Sequence, residues 1–265
     1  MRLCSIASGS SGNCIYVGSD ATHLLVDTGI SGKRMVAGVE SLGIKPSELD
    51  GILITHEHSD HISGLGVLAR KYEIPIYTTR ETYEAIKQDK KIGLLPEGLF
   101  REVKYDEKFS IKDMSVYPVR ISHDAKKPVA YRFGCEKKSV GILTDLGNYN
   151  EYIVECMKGL DAVLLEANHD VNMLQVGPYP YYLKQRILSD RGHLSNELCG
   201  RLLDRILHDG TKHVVLGHLS KENNMPELAY ETVRLEVDMS ASPYKAGDFH
   251  LSVAKRSEVS EVIEI

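Results

Sequence analysis

The chain has 265 residues, 42% hydrophobic and 26% charged, with 32 Lys and Arg against 37 Asp and Glu. That composition excludes an intrinsically disordered chain, and with no run of 18 apolar positions the sequence holds no membrane span. A net charge of −5 argues against a basic shell for loose nucleic-acid binding, but bound cations at a local site would still admit a nucleic-acid substrate.

The length suits one domain covering residues 1–265. Met1-Arg2-Leu3-Cys4-Ser5 is not followed by an apolar signal segment, so a cytoplasmic protein is expected. The five cysteines are odd in number and never spaced C-x-x-C, which argues against a disulfide framework or a zinc knuckle. Cys14, in a Gly/Ser-rich turn, is the one with a chance of exposure.

Taken in chain order, Arg2 to Val17 alternates enough to form strands around the turn Ser8-Gly9-Ser10-Ser11-Gly12-Asn13. Five short apolar runs follow, each ending in a residue suited to metal binding or proton transfer. They are Leu24-Leu25-Val26 before Asp27, Ile52-Leu53-Ile54 before Thr55-His56, Ile142-Leu143 before Thr144-Asp145, Ala162 to Leu165 before Glu166, and Val214 to Gly217 before His218. Continuous apolar runs of this length predict strands buried on both faces, with chemistry gathered beyond one end of the strands. Helices are expected near 33–42, 61–72, 80–90, 149–158, 195–208 and 226–237, with Ser195 as an N-cap. Leu99 to Val119 reads as a β-meander, and Asp248 to Val253 alternates enough to be a strand. The sum is a layered α/β fold with sheets inside and helices outside.

Residues 55–61 read Thr-His-Glu-His-Ser-Asp-His. If the first half is extended, His56 and His58 point to one side, and the turn brings Asp60 and His61 back toward them. Imidazole with carboxylate suits zinc, manganese or iron rather than calcium, and the lack of thiolates argues against a closed structural zinc site. With 11 histidines in the chain, such a cluster would arise by chance on the order of once in a thousand chains. His123, Asp145 and His218 stand at or beyond strand ends, where further ligands are needed.

The order Asp27-Thr28-Gly29, His56 to His61, His123, Asp145, His218 resembles the five successive motifs of the metallo-β-lactamase superfamily. The resemblance implies a four-layer αββα sandwich of two mixed sheets flanked by helices, and two divalent metal ions per chain (Mn2+ or Zn2+, with Fe also compatible). It implies His56, His58 and His123 around one ion, Asp60, His61 and His218 around the other, and Asp145 between them. Asp27 then orients the cluster without ligating. Asp145 stands where a zinc β-lactamase carries Cys, which argues against antibiotic hydrolysis. His58 stands where the diiron members carry Glu, which favours hydrolysis over oxygen chemistry.

Glu166, in Leu-Leu-Glu-Ala-Asn-His, and His193, in Arg-Gly-His-Leu-Ser-Asn, resemble the Glu/His pair of the tRNA 3′-processing branch, where the pair assists proton transfer to the leaving oxygen. An imidazole with an ordinary pKa of about 6.5 can act as that acid, and Asp60 is the expected acceptor for a proton of the attacking water. Tyr179 to His193 mixes aromatic rings with Lys184, Arg186 and Arg191, a pattern that suits nucleic acid as well as an ordinary amphipathic helix. Ser11 and Asn13 offer polar groups for a phosphate.

These motifs, with Gly-His-Leu-Ser-Lys-Glu-Asn-Asn, are similar to the YycJ/WalJ (VicX) group of bacterial proteins. That implies a 5′-to-3′ DNA exonuclease and a nucleic-acid partner. The rival expectations are a small-molecule hydrolase of the same fold, such as a thioesterase, lactonase or cyclic phosphodiesterase, and a regulatory protein of a two-component signalling operon.

Overall fold

The computed structural model describes residues 1–265. The first half of the chain supplies β1 (Arg2–Ala7), β2 (Cys14–Gly18), β3 (His23–Val26), β4 (Gly51–Leu53), β5 (Ile76–Thr78) and β6 (Phe100–Glu102), with helices α1 (Gly32–Ser41), α2 (Ser59–Ile62), α3 (Leu65–Tyr72) and α4 (Arg80–Gln88). The second half supplies β7 (Phe109–Ile111), β8 (Met114–Arg120), β9 (Val129–Cys135), β10 (Lys138–Leu143), β11 (Ala162–Glu166), β12 (His213–Gly217) and β13 (His250–Val253). Its helices are α5 (Glu151–Met157), α6 (Val171–Val176), α7 (Tyr181–Ile187), α8 (Asn196–Ile206) and α9 (Pro226–Met239). A last strand, β14 (Ile263–Glu264), returns to the first sheet. The sheet orders are β14-β1-β2-β3-β4-β5-β6 and β13-β12-β11-β10-β9-β8-β7.

Period-two burial explains why the strands read as unbroken apolar runs. Along β11, Ala162 and Leu164 join a core between the sheets, whereas Val163 and Leu165 join a second core under the helices. β3 divides likewise, with Leu24 and Val26 facing the other sheet and Leu25 packed among residues of α1, α3 and α4. Three cores separate four layers, helix, sheet, sheet, helix, and each central strand is buried on both faces.

Within each sheet the site-bearing strands run parallel: β3 beside β4, and β10 beside β11 beside β12. Their C-terminal ends therefore share one rim, and Asp27, His56, Asp145, Glu166 and His218 sit there. Asp27, Asp145 and His218 leave their strands with φ of 61°, 59° and 56°, a left-handed backbone that non-glycine residues seldom adopt and that clusters at functional sites.

Two expectations are corrected. Leu99 to Val119 is not one meander: β6 pairs parallel with β5 in the first sheet, while β7 and β8 form a hairpin in the second. Alternating burial looks the same whichever sheet a strand joins, so the crossing near Asp106 left no signature. The helix expected over 61–72 is broken at Ser63-Gly64. A Cβ on Gly64 would lie 2.2 Å from the Ile30 carbonyl oxygen, so the chain turns there to pack against the segment after β3. Cys14 is buried, and burial holds its thiol far above the ordinary range. All five cysteines are free. No helix is long and apolar enough to cross a membrane.

Candidate metal centre

The rim is assembled by backbone bonds before any side chain is considered. Asn13 N–H donates to Asp60 O at 2.8 Å, Gly29 N–H to Asn13 O at 2.8 Å, Thr28 N–H to His61 O at 2.7 Å and Gly64 N–H to Thr28 O at 2.8 Å. These bonds tie the β1–β2 turn and the Asp27-Thr28-Gly29 segment to α2. Gly29 is required at this junction, because a Cβ there would fall 1.6 Å from the Asp60 carbonyl oxygen.

His56, His58 and His123 converge. His58 Nδ1 lies 3.0 Å from His56 Nε2 and 3.2 Å from His123 Nε2. Three imidazole nitrogens aimed at one point cannot all hydrogen-bond one another, whereas a cation would accept all three lone pairs. A second group joins Asp60, His61 and His218: Asp60 Oδ2 is 3.5 Å from His61 Nε2 and 3.4 Å from His218 Nε2. Asp145 stands between the two groups, with Oδ1 3.6 Å from both His123 Nε2 and His218 Nε2. Its Oδ2 approaches His61 Nε2 to 3.1 Å yet is buried without a hydrogen-bond partner. An orphaned carboxylate oxygen among imidazoles fits a divalent ion.

The outer nitrogens of the rings are held just as firmly. His61 Nδ1 meets Asp27 Oδ2 at 2.8 Å, His123 Nδ1 meets Gly192 O at 3.0 Å, and His218 Nδ1 meets Glu166 Oε1 at 2.8 Å. Each contact fixes which nitrogen faces inward. The Thr55 hydroxyl, which sequence reasoning passed over, lies 3.0 Å from His56 Nδ1 and 2.9 Å from Asp27 Oδ2. Its signal was its place between a buried strand and the first histidine.

Glu166 and His193 also meet. His193 Nδ1 is 2.8 Å from Glu166 Oε1, the oxygen that also engages His218. Glu166 Oε2 accepts from the N–H groups of Leu146 and Leu194. His193 retains 14% side-chain exposure, and its ring centroid lies 5.1 Å from that of His123 and 5.4 Å from that of His218.

The electrostatics divide the centre. Burial pushes the imidazoles of His56 and His123 down, His123 to about 4, so both present lone pairs at neutral pH. Burial also opposes charge on His61 and His218, but Asp145 and neighbouring carboxylates outweigh it. His61 is lifted well above its ordinary value and His218 to about 10. Burial likewise disfavours the charged carboxylates of Asp60 and Asp145, yet the surrounding imidazoles hold both below the usual range. The same competition, with His193 first among the opposing charges, brings Glu166 to about 2.

The three residues selected for substrate contact are placed differently. Ser11 is exposed on the β1–β2 turn. Asn13 is fully buried, its Oδ1 accepting from Gly9 N–H and its Nδ2 donating to the Gly9 and Asp60 carbonyls. Arg191 is exposed but donates through Nε and Nη2 to His123 O at 3.3 and 3.1 Å. Asp124 was not selected. Its Oδ1 lies 3.4 Å from His123 Nε2, and the carboxylate grips Arg186 through two contacts of 2.5 and 3.0 Å.

Comparison with known proteins extends these observations. A family model described as beta-lactamase superfamily domain matches residues 22–219. The chain is 44% identical over 228 residues to the exodeoxyribonuclease WalJ of Streptococcus pneumoniae, covering 86% of this chain and 85% of that one. It is 42% identical to the exodeoxyribonuclease YycJ of Bacillus anthracis, covering 86% of each. Among solved structures, the zinc-bound PqqB of Methylobacterium extorquens superposes over all of both chains with a TM-score of 0.73 at 15% identity. The metallo-β-lactamase fold protein YhfI of Bacillus subtilis gives 0.69 at 17% identity, covering 98% of this chain and 99% of that one. At such identities the structural matches speak for the fold alone.

Proposed function

This chain belongs to the β-lactamase superfamily, in the group of the exodeoxyribonucleases WalJ and YycJ, and from that premise we propose that it is a metal-dependent nuclease that removes nucleotides from an end of DNA. The observation that carries the reading is the pairing of a seven-residue ligand set with a histidine, His193, held by a buried carboxylate beside it. Residues 1–265 act as one unit, because both halves of the chain contribute donors to each group. The 5′-to-3′ polarity implied by the sequence resemblance belongs to this reading. So does a cytoplasmic location, where the free cysteines remain reduced.

His56, His58 and His123 would hold one ion, Asp60, His61 and His218 the other, and Asp145 both. Manganese and zinc match these nitrogen and carboxylate donors. Such ions supply Lewis acidity toward a phosphoryl oxygen and make water acidic enough to attack near neutral pH. Asp27 and Thr55 keep the rings of His61 and His56 aimed inward.

Asp60 has 23% side-chain exposure, so its carboxylate is accessible to the attacking water, orients it and accepts its proton. The P–O bond that breaks leaves an alkoxide that must be protonated. His193 Nδ1 is engaged by Glu166, which leaves Nε2 without a protein partner and able to donate. The contact with Glu166 fixes the ring's orientation, and the imidazolium form carries on Nε2 the proton that is transferred. One water and one phosphodiester thus give a phosphate monoester and an alcohol. Ser11 and Arg191, exposed near the rim, are the side chains for contact with substrate phosphates, while Asn13 acts from within by shaping the turn.

The test is cleavage of end-labelled single- and double-stranded DNA and RNA by metal-stripped protein reloaded with manganese or zinc, beside Asp60→Ala. Metal-dependent shortening of DNA from the 5′ end, lost in the variant, is expected. Intact DNA under every metal would overturn the reading and favour a small ester as substrate.

A further inference from the structure

One surface outside the metal centre has a composition that the centre does not require. In the segment running from α6 into α7, Val176 is 86% exposed, Tyr181 77% and Tyr182 75%. Large apolar and aromatic groups left this open usually mark a binding surface when they cluster. Their charged neighbours are basic: residues 177–193 contain Lys184, Arg186 and Arg191 against a single acid, Asp190, in a chain whose net charge is −5.

The segment is also fastened to the catalytic rim. Tyr182 and Arg186 are four residues apart on α7 and therefore share a helix face. Arg186 forms its two-contact pair with Asp124, and Asp124 Oδ1 is 3.4 Å from His123 Nε2. Arg191 donates to the His123 carbonyl, and His193 N–H donates to Ile187 O at 3.0 Å at the end of α7. Lys184 Nζ donates to Gln175 O at 2.7 Å, bracing α7 on α6. A short path thus leads from the exposed rings, through one salt bridge, to a ligand histidine.

Resting on the nuclease reading, we propose that α7 is the platform on which unpaired nucleotides of the DNA strand stack beside the metal centre, with Tyr181 and Tyr182 as the stacking faces and Lys184 and Arg191 as phosphate partners. Aromatic faces stack on any base, and nearby cations follow the backbone, which is the combination that holds a single strand without regard to sequence. A protein partner would use the exposed rings equally well, but it would not account for the excess of basic residues or for the tether to His123. The platform sets how tightly the strand is held; His193 and Asp60 carry out the bond cleavage.

The experiment compares the manganese-loaded wild type with Tyr181→Ala, Tyr182→Ala, the double variant and Tyr182→Phe. Three readouts are taken: KM and kcat on a single-stranded oligonucleotide, turnover of bis(p-nitrophenyl) phosphate, and binding of a fluorescent oligonucleotide by anisotropy. The proposal predicts a roughly tenfold rise in KM and matching loss of binding for each alanine variant. Phe should restore both, and the small phosphodiester should be hydrolysed at the wild-type rate throughout. Wild-type KM and binding in the double variant would overturn it and leave the surface to a protein partner. If the wild type cuts no DNA, the nuclease reading fails, whereas the anisotropy comparison still decides whether the platform holds a strand.

Discussion

Glu166 is the residue on which two roles converge, because its carboxylate engages His193 and His218 and accepts two backbone N–H groups. A glutamine amide would turn an N–H₂ toward existing donors whichever way it is placed. Glu166→Gln is therefore expected to weaken metal binding by about 10- to 100-fold and to cut turnover as well. His193→Ala should lower kcat by roughly 10²- to 10⁴-fold and keep its metal. Metal content by mass spectrometry beside kcat separates the two, and equal metal loss in both would contradict the assignment. The sign of the pH dependence follows from His61 and His218, both raised, His218 to about 10. The stability of their charged pairs in the metal-free chain is present at neutral pH and lost as pH rises through the folded value. Ligation needs neutral imidazoles, so metal uptake displaces protons and strengthens with rising pH. Calorimetry in buffers of different ionisation enthalpy should show net proton release; its absence would count against these two residues as ligands.

At the scale of elements, the centre depends on where strands stop. The Gly29 junction brings the end of β3 within van der Waals contact of α2, leaving no space for a Cβ beside Asp60 O. Gly29→Ala is expected to destabilise the fold by about 2–4 kcal/mol and to reduce metal content, read by thermal melting and metal analysis. An unchanged melt would show that the junction relaxes freely. Much of this was legible in the sequence, because a buried strand followed by Thr-His-Glu-His-Ser-Asp-His is a local pattern. The same holds for the apolar runs before Asp145, Glu166 and His218. What was not legible depended on contacts between distant segments. The shared grip of Glu166 on His218 comes from the adjacency of β11 and β12, and the Asp124–Arg186 pair joins residues 62 positions apart. The split of Leu99 to Val119 between sheets was hidden for the same reason, since a strand's alternation does not name its neighbour.

For the molecule as a whole, the first half contributes Asp27, His56, His58, Asp60 and His61, and the second contributes His123, Asp145, Glu166, His193 and His218. Each proposed three-ligand group draws on both halves, so ions held there would cross-link the two sheets at their common rim. An ion at 100 times its Kd stabilises a folded chain by about 2.7 kcal/mol, which for a chain of this size raises Tm by roughly 5 °C or more. A chelator that leaves Tm unchanged would contradict this cross-link. The central claim is best tested by returning manganese stepwise to metal-stripped protein, counting the ions bound per chain and following the shortening of end-labelled DNA in the same samples. Two ions per chain, with cleavage restored as the second is taken up, is the predicted result. Cleavage by metal-free protein, or two bound ions without any cleavage of DNA, would contradict the account.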